Sequence, residues 1–318
     1  MGYIEKKRRE LESYLPALTR EGDFREFWDE ALEESRGISL GFRAERLRYP
    51  CRQAAVYEIS FQGMENTRIY GWYLAPLGAS GQKYPCVIQY HGFSGSRGMP
   101  SDYLSWTALG MAVLAVDCRG QGGRTPDKAS YQEAYFDGLP CRGILNPKEY
   151  YYRHVYLDSI RAIDAACAME DTDSSRLVLH GISQGGALVM AAAALDNRPA
   201  LALADVPGNS DLETRVEGEN GSFAAVAAYL KRFPQHTDTA FRTLSYFDIM
   251  NLADRIECPV YCSVSLKDNT CPAKCFYAAY NRIQAEKQME IYPFCGHENA
   301  YSIQMEKKLL FLQSHGML

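Results

Sequence analysis

No apolar run in the chain approaches the ~18 residues needed to cross a bilayer. The opening Met1-Gly2-Tyr3-Ile4-Glu5-Lys6 lacks the apolar stretch of a secretory signal, and Lys6 stands where a myristoylation motif wants Ser or Thr. Cysteine is sparse: ten in 318 residues, far below the density of a disulfide scaffold. These absences make a cytoplasmic protein with reduced thiols the expectation. Excess basic charge is missing too, with 34 Lys and Arg against 39 Asp and Glu for a net charge of −5. A binder of phosphate backbones needs a basic patch or stripe. The one basic run, Lys6-Lys7-Arg8-Arg9, sits among Glu5, Glu10 and Glu12 and reads as a solvated helix face. Neither nucleic acid nor membrane is expected as a partner. Cys258/Cys262 and Cys271/Cys275 have the look of a four-thiolate zinc site. A strand from Cys258 to Cys262 would, however, hold its two sulfurs roughly 13 Å apart, so no metal is expected.

What is present is ordinary globular material, 47% hydrophobic and 23% charged. At ~150 residues per domain the length suggests two domains, but no linker, repeat or low-complexity tract divides the chain. The first 45 residues or so read mostly as helix, with Asp23-Phe24-Arg25-Glu26-Phe27-Trp28 opening one amphipathic segment. Alternating runs at 54–61 and 67–74, separated by polar residues around Gly63 and Asn66, predict a hairpin. From residue 84 short continuous apolar runs take over: 85–90, 111–116, 177–179, 201–204, 260–264 and 289–292. Strands buried on both faces look like this, because crossover helices cover both sides of a parallel sheet. Helices are expected at about 150–169, 184–195, 273–286 and 299–314. The irregular stretches 121–149 and 207–250 read as insertions at the sheet's edge. The expectation is therefore one α/β domain over 1–318, with a mostly parallel central sheet, helices on both faces and a helical extension over 1–45.

The sharpest chemical signal is Gly181-Ile182-Ser183-Gln184-Gly185-Gly186, between the apolar run Leu177–Leu179 and the Ala-rich helix that follows. Strand, tight turn and helix is the context of a Gly-x-Ser-x-Gly elbow, in which a serine in a strained turn needs small residues two before and two after it. A serine hydroxyl is a poor nucleophile until a base takes its proton. Of six histidines, His91 and His180 fall at strands before the elbow, His154 in the helix before it, His236 in the irregular 207–250 stretch and His315 in the C-terminal fringe. Only His297 follows a late strand in the order Ser, acid, His of the α/β-hydrolases. Asp268, after the run 260–266, is the favoured acid; Asp205, at the end of the preceding strand, is its rival. Oxyanion donors are expected from the backbone N–H of Gln184 and from Phe93 in the loop His91-Gly92-Phe93-Ser94-Gly95.

Taken together these residues resemble the acetyl xylan esterase and cephalosporin-C deacetylase family of carbohydrate esterases, within the α/β-hydrolases. Arg119-Gly120-Gln121-Gly122 resembles the family's Arg-Gly-Gln-Gly, Gly181–Gly186 its Gly-x-Ser-Gln-Gly-Gly, and His297-Glu298 its His-Glu. The stretches Tyr14-Leu15-Pro16, Phe27-Trp28, Ser245–Asp248 and Ala278–Asn281 are similar as well, so the likeness covers nearly the whole chain. It implies Ser183 as nucleophile, Asp268 as acid and His297 as base, acting on a small acetylated substrate such as a sugar ester without a cofactor. It also implies support from Arg119, Gln121, Gly181, Gly185, His91 and Gly92, and a homo-oligomer, a hexamer in many members. Two departures stand out. Phe93 replaces a usual Tyr, and Pro207-Gly208-Asn209-Ser210-Asp211 is more polar and more flexible in composition than the family's apolar segment. The same triad also suits another acyl group, a thioester or a peptide bond, and a silent binding module is the alternative outside enzymes. The cluster Tyr150-Tyr151-Tyr152 reads either as a subunit contact or as helix packing.

Overall fold

The computed structural model describes residues 2–131 and 138–318. Its nine strands are β1 (Arg43–Arg46), β2 (Ala54–Gln62), β3 (Arg68–Pro76), β4 (Tyr84–Tyr90), β5 (Ala112–Val116), β6 (Thr172–Ile182), β7 (Leu201–Asp205), β8 (Val260–Ser265) and β9 (Lys287–Tyr292). They form one sheet in the order β1-β2-β3-β5-β4-β6-β7-β8-β9. The six from β5 to β9 in that order run parallel, and β1–β3 extend it antiparallel. The helices are α1 (Tyr3–Glu12), α2 (Phe24–Gly37), α3 (Leu104–Ala108), α4 (Tyr151–Cys167), α5 (Gln184–Leu195), α6 (Leu212–Glu217), α7 (Ala224–Arg232), α8 (Thr237–Ser245), α9 (Ile249–Leu252), α10 (Ala273–Tyr280) and α11 (Tyr301–Ser314).

The continuous apolar runs are explained by burial on both sides. Along β4, Cys86, Ile88 and Tyr90 enter a large core shared with α2, α4, α5 and α10, while Val87 enters a smaller one. In the same way Leu177 and Leu179 of β6 face the large core, and Val178 packs with Trp106 of α3 and Phe311 and Leu312 of α11. Period-two alternation survives, but both faces are apolar, so polarity does not reveal it. The Tyr150-Tyr151-Tyr152 cluster is fully buried in the large core, which makes it packing rather than a surface contact.

The expected hairpin is present as β2 and β3, in register from Ala54–Pro76 to Gln62–Arg68. Three boundaries move. Residues 43–46, read with the helical extension, pair with β2 as β1; all four are exposed, so no apolar alternation marks them. α10 ends at Tyr280 rather than near 286, because the chain must turn back to enter β9 at Lys287. Residues 207–250 hold four short helices, α6–α9, and leave from β7, an interior strand, rather than from the lateral edge of the sheet. The other irregular stretch, 121–149, is mostly turns with a short 3-10 segment at Leu139–Cys141, and its residues 132–137 lie outside the described part.

Candidate active site

Ser183 sits between β6 and α5 with φ 61° and ψ −122°, a region that bulky residues avoid. The turn is held by Ser183 N to the Asp205 carbonyl at 2.9 Å and by Gly208 N to the Ser183 carbonyl at 3.0 Å. Its flanking glycines are steric necessities. A Cβ on Gly181 would stand 2.4 Å from the Gly185 backbone, and one on Gly185 would stand 2.2 Å from the Tyr90 carbonyl oxygen. The strain is thus imposed by close packing of β6 and α5 against the end of β4.

His297, in the loop after β9, brings Nε2 to 2.9 Å from Ser183 Oγ. Its Nδ1 lies 2.7 Å from Asp268 Oδ2. The other Asp268 oxygen accepts the N–H groups of Thr270 and Cys271, each at 2.8 Å. Asp268 can only accept when ionised, so the imidazole proton belongs on Nδ1 and Nε2 is free to take the serine proton. The Asp268 side chain is fully buried while His297 stays 35% exposed, which leaves the imidazole open to solvent and the acid shut away. After His297, Asn299, Ala300 and Tyr301 all have positive φ, between 43° and 55°, so strain is concentrated in the loop that aims the imidazole.

The rival acid has another partner. Asp205 Oδ2 accepts from Lys308 Nζ at 2.6 Å, and Oδ1 accepts from Ser263 and Gln304, both at 2.8 Å. Lys308 Nζ also lies 2.6 Å from His180 Nε2, and His180 Nδ1 meets Gln89 Oε1. Burial alone would push the Asp205 carboxyl up, but Lys308, His180 and the Ser263 hydroxyl together outweigh it and hold the pKa below its ordinary value. This buried network ties α11 to β7 and reaches the histidine loop through Ser263 and Asn299, while Asp205 itself makes no hydrogen bond to His297 among the described residues.

The loop after β4 lies against the elbow, with the Gly92 Cβ position 3.8 Å from Ser183 Cβ. His91 organises it. Cys118 N donates to His91 Nε2 at 2.9 Å, which puts the ring proton on Nδ1, 2.7 Å from the Gly92 carbonyl. Gly95 N donates to the same carbonyl at 3.0 Å. In a trans peptide the N–H points opposite to the C=O, so fixing the Gly92 oxygen aims the Phe93 N–H away from His91. Burial lowers the His91 pKa, which keeps the ring neutral. The second expected donor, Gln184 N, is the first of α5, where the helix has no acceptor for it.

The Arg-Gly-Gln-Gly loop braces this arrangement. Gln121 Oε1 accepts Ser94 N at 2.8 Å, and its Nε2 donates to Gln184 Oε1 at 3.0 Å and to Tyr151 Oη at 2.9 Å. Arg119 is fully buried and makes a two-point contact with Asp158, at 2.7 and 2.9 Å, besides a bond to the Met64 carbonyl. It joins α4 to the hairpin and does not reach the serine. Pro207–Asp211 corrects an expectation, being buried throughout rather than a flexible loop. Asn209 bonds Tyr156 Oη, Ser210 bonds the Cys275 carbonyl, and Asp211 accepts from Tyr14 Oη. Polar composition had suggested mobility, but each polar group has a partner inside the fold.

Sequence reasoning missed two neighbours of the serine. Cys271, weighed only as a zinc ligand, places Sγ 3.9 Å from Ser183 Oγ. Arg215 of α6 packs beside it, and nothing in local sequence marks either. Among the described residues no group of three or more His, Cys, Asp or Glu is placed to hold a metal ion. No described helix is long and apolar enough to cross a membrane.

A mostly parallel sheet with a strained serine elbow and a late histidine loop defines an α/β-hydrolase fold. A family model described as acetyl xylan esterase (AXE1) matches residues 1–315, and the chain belongs to that family, as the motifs had suggested. The structure of an acetyl xylan esterase from a Paenibacillus species is similar with a TM-score of 0.93 and 40% identity, covering 96% of this chain and 98% of that one. Acetyl xylan esterase 1 from a Thermoanaerobacterium species gives 0.91 at 30% identity, over 97% and 98% of the two chains. An acetyl esterase, Axe7A, of Xylanibacter ruminicola is 29% identical over 283 residues; the match takes in 86% of this chain but 63% of that protein's length.

Proposed function

We propose that the chain is a serine esterase that removes acetyl groups from carbohydrates or similar small compounds. The observation that carries this reading is the continuous hydrogen-bonded chain from Ser183 Oγ through His297 to Asp268. Ser183 attacks the ester carbonyl as His297 Nε2 takes its proton, and Asp268 orients the imidazole and stabilises its charged form. The oxyanion is received by the Phe93 and Gln184 amides. His297 then protonates the leaving alcohol, and water repeats the sequence on the acyl-enzyme to release acetate. Arg119, Gln121, His91, Gly92, Gly181 and Gly185 hold this geometry without touching the substrate. The family and the two acetyl xylan esterase structures support the acetyl and carbohydrate parts of the assignment.

The test is a Ser183→Ala variant assayed on acetylated xylo-oligosaccharides and on an aryl acetate. Turnover should fall by ~10⁴-fold or more, and an active-serine phosphonate should label the native protein at Ser183 only. Undiminished hydrolysis by the variant would overturn the reading. A homo-oligomer belongs to the same proposal. It is supported by the exposed apolar side chains Tyr3, Phe294, Tyr301 and Ile303, the last three from the segment that carries His297. Light scattering that reports a monomer would remove that part alone.

A further inference from the structure

Arg215 is only 3% exposed, yet no Asp or Glu among the described residues forms an ion pair with it. Arg97, Arg119 and Arg153 are similarly buried, and each meets a carboxylate. Arg161, also buried, bonds four backbone carbonyls. Arg215 has less. Its Nη2 donates to the Thr270 carbonyl at 2.9 Å and reaches that of Asn220 at 3.5 Å. The guanidinium carbon lies 5.3 Å from the centre of the Phe223 ring, and the buried Nε has no hydrogen-bond partner among the described residues. A guanidinium stays charged inside a protein, and burying a charge without a counter-ion is costly. Such a group is explained by an anion that arrives from outside.

The position says which anion. A Cβ on Gly208 would stand 3.6 Å from Arg215 Nη1, 3.7 Å from Cys271 Sγ and 3.7 Å from the Ser183 carbonyl oxygen. Cys271 Sγ is in turn 3.9 Å from Ser183 Oγ. Gly208 therefore puts no side chain between the guanidinium and the elbow, and Cys271 touches both sides. An ester carbon bonded to Ser183 Oγ directs its oxyanion to the Phe93 and Gln184 amides and its alcohol toward His297 Nε2. The remaining substituent, the acyl chain, faces Cys271 and Gly208, with Arg215 behind them.

We propose that Arg215 is an anion subsite on the acyl side, which suits the enzyme to esters whose short acyl group ends in a carboxylate, the malonyl-to-glutaryl class. The proposal rests on the serine esterase reading and extends its acyl range beyond acetyl. The chemistry is unchanged. The Ser183 Oγ–carbon bond forms as the ester C–O bond breaks, and the serine proton passes through His297 to the alcohol. Water then cleaves the acyl-enzyme, releasing a dicarboxylate and restoring the serine. Arg215 binds the distal carboxylate throughout and neither gains nor loses a proton.

Three esters of one phenol test this: the acetate, the hemisuccinate, and the levulinate, a neutral acyl group of matching length. A charge-assisted contact predicts kcat/KM for the hemisuccinate at least about tenfold above that for the levulinate. Arg215→Met should abolish or reverse that ratio, and Arg215→Lys should restore part of it. If the native enzyme cleaves the acetate but shows no preference for the hemisuccinate, the subsite is overturned and Arg215 is a brace between the Thr270 and Asn220 loops. The native ratio decides the matter even if a variant fails to fold. Failure to cleave the acetate would instead sink the serine esterase reading, and this proposal with it.

Discussion

Asp205 and Lys308 form an ion pair 2.6 Å long with both side chains almost wholly buried, on the strand next to the Ser183 elbow. A carboxylate so placed looks like a catalytic acid by chain position, but its charge is already balanced by α11. Asp268 instead offers one oxygen to two backbone amides and the other to His297. The two aspartates should therefore fail differently. Asp268→Asn should lower kcat by about 10⁴-fold with little change in unfolding midpoint. Asp205→Asn leaves Lys308 buried and unpaired, at a cost of about 3–5 kcal/mol. Denaturant unfolding together with kcat per titrated active site separates the two outcomes; the reverse pattern would exchange their roles.

His91 is a positioning residue for the Phe93 amide. Replacing it with Leu removes the acceptor for Cys118 N and the donor to the Gly92 carbonyl, so the Gly92–Phe93 peptide is no longer held. Loss of one oxyanion donor sets the scale, so kcat should drop by up to about 10²–10³-fold. KM should change little, because the amide acts on the developing oxyanion more than on the bound ester. A rise in KM at constant kcat would show that the loop serves binding instead.

The elbow glycines admit no side chain. For Gly185→Ala the new Cβ meets a backbone oxygen, which cannot rotate away as a side chain would. Overpacking of this kind costs about 1–3 kcal/mol, and the shift falls on Ser183 itself. Thermal unfolding should occur at a lower temperature and phosphonate labelling should slow. A variant with native stability and labelling rate would mean that β4 yields more easily than this packing implies.

Acid should lower stability through two buried histidines, an effect partly offset by Asp248, whose carboxyl burial pushes up to about 7. Burial, with Lys308 beside His180 and Arg119 beside His154, brings both imidazoles down to about 3. An unfolded histidine titrates near ~6.5, so between those values the native state binds fewer protons than the unfolded chain. The stabilising contribution is complete above the unfolded value and is lost as the pH falls toward the folded one. Urea midpoints measured at about pH 7 and about pH 5 should differ, with the acidic one lower. Equal midpoints would mean that the two histidines take up no more protons on unfolding than Asp248 releases.

Much of this protein was legible in one dimension because the relevant physics is local. Five strands buried on both faces announce themselves as apolar runs, and Gly181 records a clash with Gly185 across the elbow itself. Motif order was enough to select His297 from six histidines, and motif resemblance carried the family. What the chain could not reveal depended on which distant segments meet. β1 is an exposed pairing without alternation, and the polar Pro207–Asp211 stretch finds its partners in α4, α10 and the segment after α1. Asp205 ends β7 and Asp268 lies just after β8, and what separates them is whether Lys308 of α11 or His297 faces the carboxylate. Arg215 is unremarkable in sequence; only the convergence of α6, Gly208 and Cys271 behind the serine leaves its charge buried and unpaired. Local sterics and periodicity are written in neighbouring residues, whereas the partner of a charge is chosen by packing across the sheet.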